Sequence, residues 1–394
     1  MTMDVSICHF MDAVSIWGRE FASALASVVP TIGWIPQLSW TGTVQSWERS
    51  VDLDDPPLRV TCFPVQRGYR RWPIGVISRT AARQHAHLLA ASAGHRSPAL
   101  VVTSPYYAPL AVLWRGPVIY YLTDLIPRYA GVSEEQVRRL DERLCRVAAL
   151  VCPNSARIAA YLRDTVKCRP AKIVIVPNAT RQQNLLPHVP REPSALPADV
   201  ADLARPVAGV IGNLALNTDW ELVEQVVHGT PFLSWLFVGP TSMPAGGAKQ
   251  NSARSRLMSM RGRVRFIGER RYGQLRDYAR AIDVAVLPYR KIEPTYSGSA
   301  TRFYEHLAAC RPMVGTYGLA ELFEKEPLLR LTRDAEQMIH YLNWLRAAEF
   351  CDGHEALRWK TSLSETWQGR VSLMMQAFAV RTGGEPNAIE ATVH

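Results

Sequence analysis

The richest chemistry in this chain lies in the stretch from Asp283 to Thr316, DVAVLPYRKIEPTYSGSATRFYEHLAACRPMVGT. It reads as strand, loop, helix, strand, and the loop carries Ser297, Gly298, Ser299 and Ala300 in succession. Side chains this small let backbone N–H groups approach a ligand closely just where a helix begins, which is the setting of an anion site. Thr301 opens that helix and Arg302 adds a permanent cation in its first turn, so amides and guanidinium together would hold a diphosphate. Glu305 follows three residues later on the same face. A carboxylate only accepts hydrogen bonds, so beyond the phosphates it could take both hydroxyl protons of a ribose. The competing reading is an i,i+3 salt bridge between Arg302 and Glu305 on a surface helix.

A second candidate is Asp124, which ends the apolar run Val118-Ile119-Tyr120-Tyr121-Leu122-Thr123. A carboxylate at the end of a buried strand could act as general base on an acceptor hydroxyl, or cap and order the loop that follows. Thr103, Ser104 and Tyr106 close the preceding strand and are candidate acceptor contacts, although small polar residues also end strands for turn reasons. Asp52-Leu53-Asp54 imitates a DxD metal motif, but it sits in a polar loop before Pro56-Pro57, and no metal site is expected there. His85, His87 and His95 cluster in an alanine-rich helix without Cys or carboxylate partners and read as a solvated face.

The elements that must position these residues form a repeating pattern. Short apolar runs at 31–34, 60–63, 99–104, 118–121, 150–153 and 173–176 read as buried strands, and 133–148 and 155–163 show apolar residues at helical spacing. Alternation of this kind implies a parallel sheet. Five prolines between 187 and 206 read as an interdomain linker, after which strand candidates resume at 207–211, 235–238, 264–267, 284–287, 313–315 and 328–331. The expectation is an α/β chain of two Rossmann-like, doubly wound parallel-sheet domains, 1–186 and 207–362, facing a cleft. An amphipathic helix at 363–380 is free to cross back to the first domain, and a polar tail from 381 is expected to be disordered. Ligands of such sheets bind beyond the strand C-terminal ends, so the active site belongs in the cleft.

Composition narrows the function classes. The chain has 394 residues, 47% of them hydrophobic, enough for two cores. No uninterrupted apolar run is long enough to span a bilayer and no signal-peptide pattern opens the sequence, so a cytoplasmic protein is expected. Seven cysteines without a CxxC pair read as reduced, mostly buried thiols. A net charge of +10 favours anionic surfaces, and Arg67-Gly68-Tyr69-Arg70-Arg71-Trp72 suits an anionic membrane face, which makes peripheral attachment at the inner membrane an expectation. No nucleic-acid motif supports a nucleic-acid partner, and no GxGxxG fingerprint supports a nicotinamide dehydrogenase.

The phrase TRFYEHLAACRPMVGT, with VRFIGERRYGQLRDYARAIDVAVLPY upstream and PNAT at 177–180, resembles the GT-B glycosyltransferases, in particular the bacterial transferases that make capsule, exopolysaccharide and lipid-linked glycans. The resemblance covers most of 150–316. It implies transfer of a sugar from a nucleoside-diphosphate sugar to a glycan or lipid-linked glycan, with no permanently bound cofactor and no metal. Arg302 would contact the donor diphosphate, Glu305 the ribose, and Gly268 and Arg270 would lie near the base. Gly212 and Asn213 match the glycine turn that faces the cleft, and Gly239, Tyr289, Ser297, Gly298, Ser299 and Thr301 complete the implied donor contacts. Asp124 matches the catalytic aspartate of some inverting members. Two departures stand out: Ser297 replaces a second glutamate, and Asn213 and Asn217 stand where many members carry a basic pair. They leave the stereochemical outcome open, and with it two alternatives, a non-catalytic donor-binding scaffold and a sugar-nucleotide epimerase.

Overall fold

Apolar runs of four or five residues become strands buried on both faces, the signature of parallel sheets covered by helices. The computed structural model describes residues 7–11, 15–38, 59–65, 79–93, 98–129 and 131–382. These fall into two units, 1–178 with 367–394 and 179–366. In unit 1 the chain runs β1 (Cys8–Met11), α1 (Ile16–Ala26), β2 (Thr31–Leu38), β3 (Arg59–Val65), α2 (Arg79–Ala93), β4 (Ala99–Val102), α3 (Ala108–Leu113), β5 (Val118–Leu122), α4 (Glu134–Val147), β6 (Leu150–Pro153) and α5 (Ala156–Ala160). Its strands are all parallel, in the order β3-β2-β1-β4-β5-β6.

Unit 2 runs β7 (Val207–Ile211), α6 (Trp220–Gly229), β8 (Ser234–Val238), α7 (Ala248–Ser259), β9 (Val264–Phe266), α8 (Leu275–Ala281), β10 (Val284–Leu287), α9 (Thr301–Ala309), β11 (Met313–Thr316), β12 (Arg330–Thr332), α10 (Ala335–Ala347) and α11 (Glu355–Ser362). The order β12-β11-β10-β7-β8-β9 is again all parallel. Counted from the first strand of each unit, both sheets read 3-2-1-4-5-6. The order reverses between β1 and β4 in one sheet and between β7 and β10 in the other, and crevices at such reversals are where doubly wound sheets bind ligands. The chain then returns to unit 1 as α12 (Trp367–Thr382), which packs on α1 and β6.

Helix α4 shows how local sequence sets these bounds. Ser133 accepts the Gln136 N–H, Glu134 and Glu135 favour the positive first turn, and Val137, Leu140 and Leu144 enter the core. At the other end the Lys172 ammonium donates to the carbonyls of Cys145, Arg146 and Ala148.

Several sequence expectations shift. Strand β1 was not anticipated because His9 interrupts its apolar run; the ring is fully buried and accepts the Trp34 indole N–H at 3.0 Å. The expected strand at 173–176 is only an extended segment along β6, where Val174 and Val176 donate to the Val151 and Pro153 carbonyls. The proline-rich stretch 187–206 falls inside unit 2, because Val200 and Leu203 enter its core and the Ser194 amide bonds to the Arg280 carbonyl. His85 on α2 is buried, not solvated, while His87 is exposed. Arg381 is still helical, and its guanidinium donates to the Ala171 carbonyl. Cys8, Cys145, Cys152, Cys168 and Cys310 are free and buried; Cys351 is exposed. His95, Asp52-Leu53-Asp54, the basic run 67–72 and the tail from 383 lie outside the described residues. No helix among the described residues is long and apolar enough to cross a membrane.

Candidate functional site

The reversal point of unit 2 is built around Arg302. Helix α9 starts one loop after β10, which carries the Arg302 side chain back across the ends of β10 and β7. There the guanidinium lies 5.1 Å from the centroid of the Tyr289 ring, beyond β10, and donates to the Asn213 carbonyl, beyond β7. The Thr218 hydroxyl, fully buried, is 3.4 Å away. Gly212 makes the crossing possible: its φ is +119°, and a Cβ there would sit 2.8 Å from the Arg302 Nε. Arg302 is 6% exposed, and among the described residues no carboxylate forms an ion pair with it and its buried Nη1 has no hydrogen-bond partner. Burial pulls its pKa below the usual guanidinium range, partly offset by Tyr289. An uncompensated buried cation costs several kcal/mol, about what a bound anion would return. Next to it, His306 is held neutral, its pKa pushed down to about 3 by burial and then by the Arg302 charge.

The i,i+3 salt bridge does not form. Glu305 turns instead to Tyr272, whose hydroxyl donates to Oε1, and to Asn184, whose amide donates to Oε2 at 2.9 Å. Arg181 lies over the Tyr272 ring at 4.5 Å. Glu305 is therefore oriented by groups 33 and 121 residues away, which no local pattern announces.

The small-residue loop is more occupied than its composition suggested. The Ser297 and Gly298 amides bond back to Pro294 and Thr295, and the Ala300 N–H at the start of α9 donates to Glu321 at 2.6 Å. Glu321 also accepts from the Tyr304 hydroxyl at 2.5 Å, with the Lys325 ammonium 3.9 Å away. A protein carboxylate thus caps the helix, and the burden of holding an anion shifts toward Arg302. Ser297 is almost fully buried and its hydroxyl donates to Glu293 at 2.8 Å, so an acid four residues upstream sits at the position where the sequence lacks one.

Strands β7, β8 and β9 each lead into a left-handed glycine: Gly212, Gly239 and Gly268. They interlock through the Gly212 N–H to Val238 and the Gly239 N–H to Gly268, and a Cβ on Gly239 would meet the Gly212 carbonyl oxygen at 1.8 Å. Arg270 is anchored elsewhere, on Asp199 at 2.8 Å and the Tyr278 hydroxyl at 3.2 Å, which gives it a structural tie within unit 2. Asn213 is exposed, and its carbonyl, not its side chain, meets Arg302.

No protein-family model matches this sequence, and no curated protein matches it. Solved structures do, along nearly the whole chain. Sucrose-phosphate synthase from Thermosynechococcus elongatus aligns with a TM-score of 0.68 at 16% identity, over 96% of this chain and 99% of that one. A glycosyltransferase from Rickettsia africae aligns with a TM-score of 0.69 at 10% identity, over 97% and 100%. HepE from Anabaena, in complex with UDP-glucose, aligns with a TM-score of 0.66 at 16% identity, over 96% and 99%. This chain has the GT-B fold.

Within that fold, unit 1 holds the remaining candidates. Thr103 donates to the Met11 carbonyl at 3.1 Å and so joins β4 to β1 across the reversal point of that sheet. Ser104 caps the short 3-10 turn that follows by accepting the Tyr106 amide, and Tyr106 itself is buried. Asp124 is half-buried beyond β5; burial raises its pKa, against hydrogen bonds from Tyr129 and Thr123. Asn154 holds the preceding turn through the Thr123 carbonyl at 2.8 Å.

Proposed function

We propose that this GT-B chain is a glycosyltransferase that moves a sugar from a nucleoside-diphosphate sugar, of the UDP class, to a hydroxyl acceptor. The observation that carries the reading is Arg302, a buried cation at the reversal point of unit 2 with no counterion among the described residues. When the glycosidic bond to the diphosphate breaks, negative charge grows on the leaving oxygen, and a preorganised guanidinium stabilises that charge more in the transition state than in the ground state. Glu305, fixed by Tyr272 and Asn184, takes the ribose hydroxyls. Glu293 on Ser297 supplies a carboxylate for the sugar. Asp124, whose raised pKa suits proton uptake, is the base for the acceptor hydroxyl. The HepE complex with UDP-glucose supports the choice of donor class. The acceptor is a glycan or lipid-linked glycan of polysaccharide synthesis, reached from the cytoplasm at an anionic membrane face, for which the net charge of +10 is the support. Transfer needs no divalent ion, since Arg302 supplies the positive charge.

A thermal-shift comparison of free UDP, GDP and their sugars with the wild type and Arg302→Met tests the site, because a ligand that binds only the native state raises its stability. The reading requires a rise selective for one nucleotide in the wild type and none in the variant; an equal rise in both would overturn it. The scaffold alternative keeps one observation in its favour, the absence of a basic pair at Asn213 and Asn217. A scaffold would bind the nucleotide without ever consuming the donor sugar, and an epimerase would turn over with donor alone.

A further inference from the structure

Unit 2 has a concave surface two to three strands away from Arg302, which crosses the ends of β10 and β7. It opens beside the edge strand β12 and along α10, with a volume of about 1130 Å³. At about 4.8 Å per strand, β12 lies roughly 14 Å across the sheet from β7. Two aromatic rings line the concavity: Tyr341 and Trp344 stack at 5.5 Å and 18°, and Trp344 leaves 48% of its surface exposed. Isolated exposed apolar residues are ordinary, but an exposed indole in a concavity ringed by planar polar groups is a recognition feature. Gln337, His340 and Asn343 project from the same helix into the lining. The charges around them are largely spent inside the protein. Asp352 forms a two-pronged pair with the fully buried Arg358, and Glu326 accepts the Leu331 amide while pairing with Arg330 at 3.7 Å.

We propose that this cavity binds a neutral oligosaccharide, separately from the nucleotide site. A pyranose ring has one face of C–H groups that covers an indole and a rim of hydroxyls that both donate and accept. The stacked pair offers the first surface; the Gln337 Nε2 amide, the Asn343 Oδ1 and the His340 imidazole answer the rim, while Gln337 Oε1 accepts the Arg333 N–H at 3.1 Å and Asn343 Nδ2 donates to the Ile339 carbonyl at 2.9 Å. An anionic ligand would meet the exposed carboxylate of Glu336, and Arg330 in the lining already pairs with Glu326. The volume exceeds the few hundred cubic ångströms that a small ligand fills, so several sugar units fit. A growing glycan held here would stay on the protein between turnovers and raise its effective concentration.

The test is calorimetric titration of the full chain with maltohexaose, cellohexaose and chitohexaose, with and without saturating UDP. Binding of at least one hexasaccharide, unaffected by UDP, is expected. Trp344→Ala and the milder Asn343→Ala should each weaken it, the former tenfold or more, with unchanged melting temperatures. Arg302→Met should leave it intact, so failure here and failure of the nucleotide reading are told apart. If none of the three sugars binds, or if both α10 variants bind as the wild type does, the proposal is overturned and the face belongs to another class of partner.

Discussion

Two crevices with one topology have been furnished in opposite ways. At the β1/β4 reversal a threonine hydroxyl ties the strand ends together, with Thr103 donating to the Met11 carbonyl, and the polar side chains described there, Thr103 and Ser104, close on backbone. At the β7/β10 reversal a guanidinium does the tying, through Asn213, Thr218 and Tyr289, and keeps one buried nitrogen unbonded. The first tie is made by a neutral group; the second is made by a charge that no described carboxylate pairs. Fold topology alone offers both reversal points, and the balance of charge is what makes the second the candidate for an anion.

Removing the charge should break that contrast most sharply. Arg302→Met is expected to lower turnover by about 10²–10³-fold, while the empty protein gains about 1 kcal/mol or more because a lone buried charge has gone. Opposite movements of rate and melting temperature would establish this; a variant that loses both would mean Arg302 is mainly a structural tie. The two units should also answer pH differently. His306, with its pKa down at about 3 in the fold against an ordinary value of 6.5, contributes stability that is complete above pH 6.5 and drains as pH falls toward 3. Asp141, buried between the Tyr120 and Tyr161 hydroxyls, has its pKa pushed up to about 7 by burial. Its contribution is complete below about pH 4 and is lost as pH rises through 7. At about 1.4 kcal/mol per pKa unit each amounts to several kcal/mol. Between about pH 4 and 6.5 the two slopes oppose one another, so over that range His306→Phe should leave stability falling as pH rises and Asp141→Asn should leave it rising; melting curves unmoved by both would remove the basis for this assignment.

Gly212→Ala sharpens the comparison from the backbone side. Its left-handed φ and a Cβ 2.8 Å from the Arg302 Nε should cost about 2–3 kcal/mol and displace the guanidinium, so chemical denaturation and nucleotide binding should both suffer. Thr103→Val at the other reversal should cost only about 1 kcal/mol, the value of one hydrogen bond and its unmet acceptor, with the nucleotide response unchanged. An effect of that variant on nucleotide binding would erase the distinction between the two crevices.

The sequence exposed the sheets well because a buried strand reads as a short apolar run, and eleven of the twelve strands, β2 to β12, coincide with or overlap the runs expected from apolar content. β1 escaped because the burial of His9 depends on Trp34, 25 residues later. The candidate site was legible in part for the same reason. Arg302 and Glu305 stood out through their spacing and the loop before them, but their partners are backbone carbonyls and side chains from distant elements. Tyr272, Asn184, Thr218 and Glu321 left no local trace. Only Glu293, four residues before Ser297, lay within reach of a spacing argument.

The unmatched charge of Arg302 has a consequence at the level of protein turnover. A chain whose empty site stores electrostatic cost opens more often when empty than when loaded, and proteases sample the open form. On the proposed reading, the lifetime of this protein in its cell would track the supply of sugar nucleotide: starvation for the donor should shorten its half-life, and pulse-chase measurements should find that dependence absent in Arg302→Met.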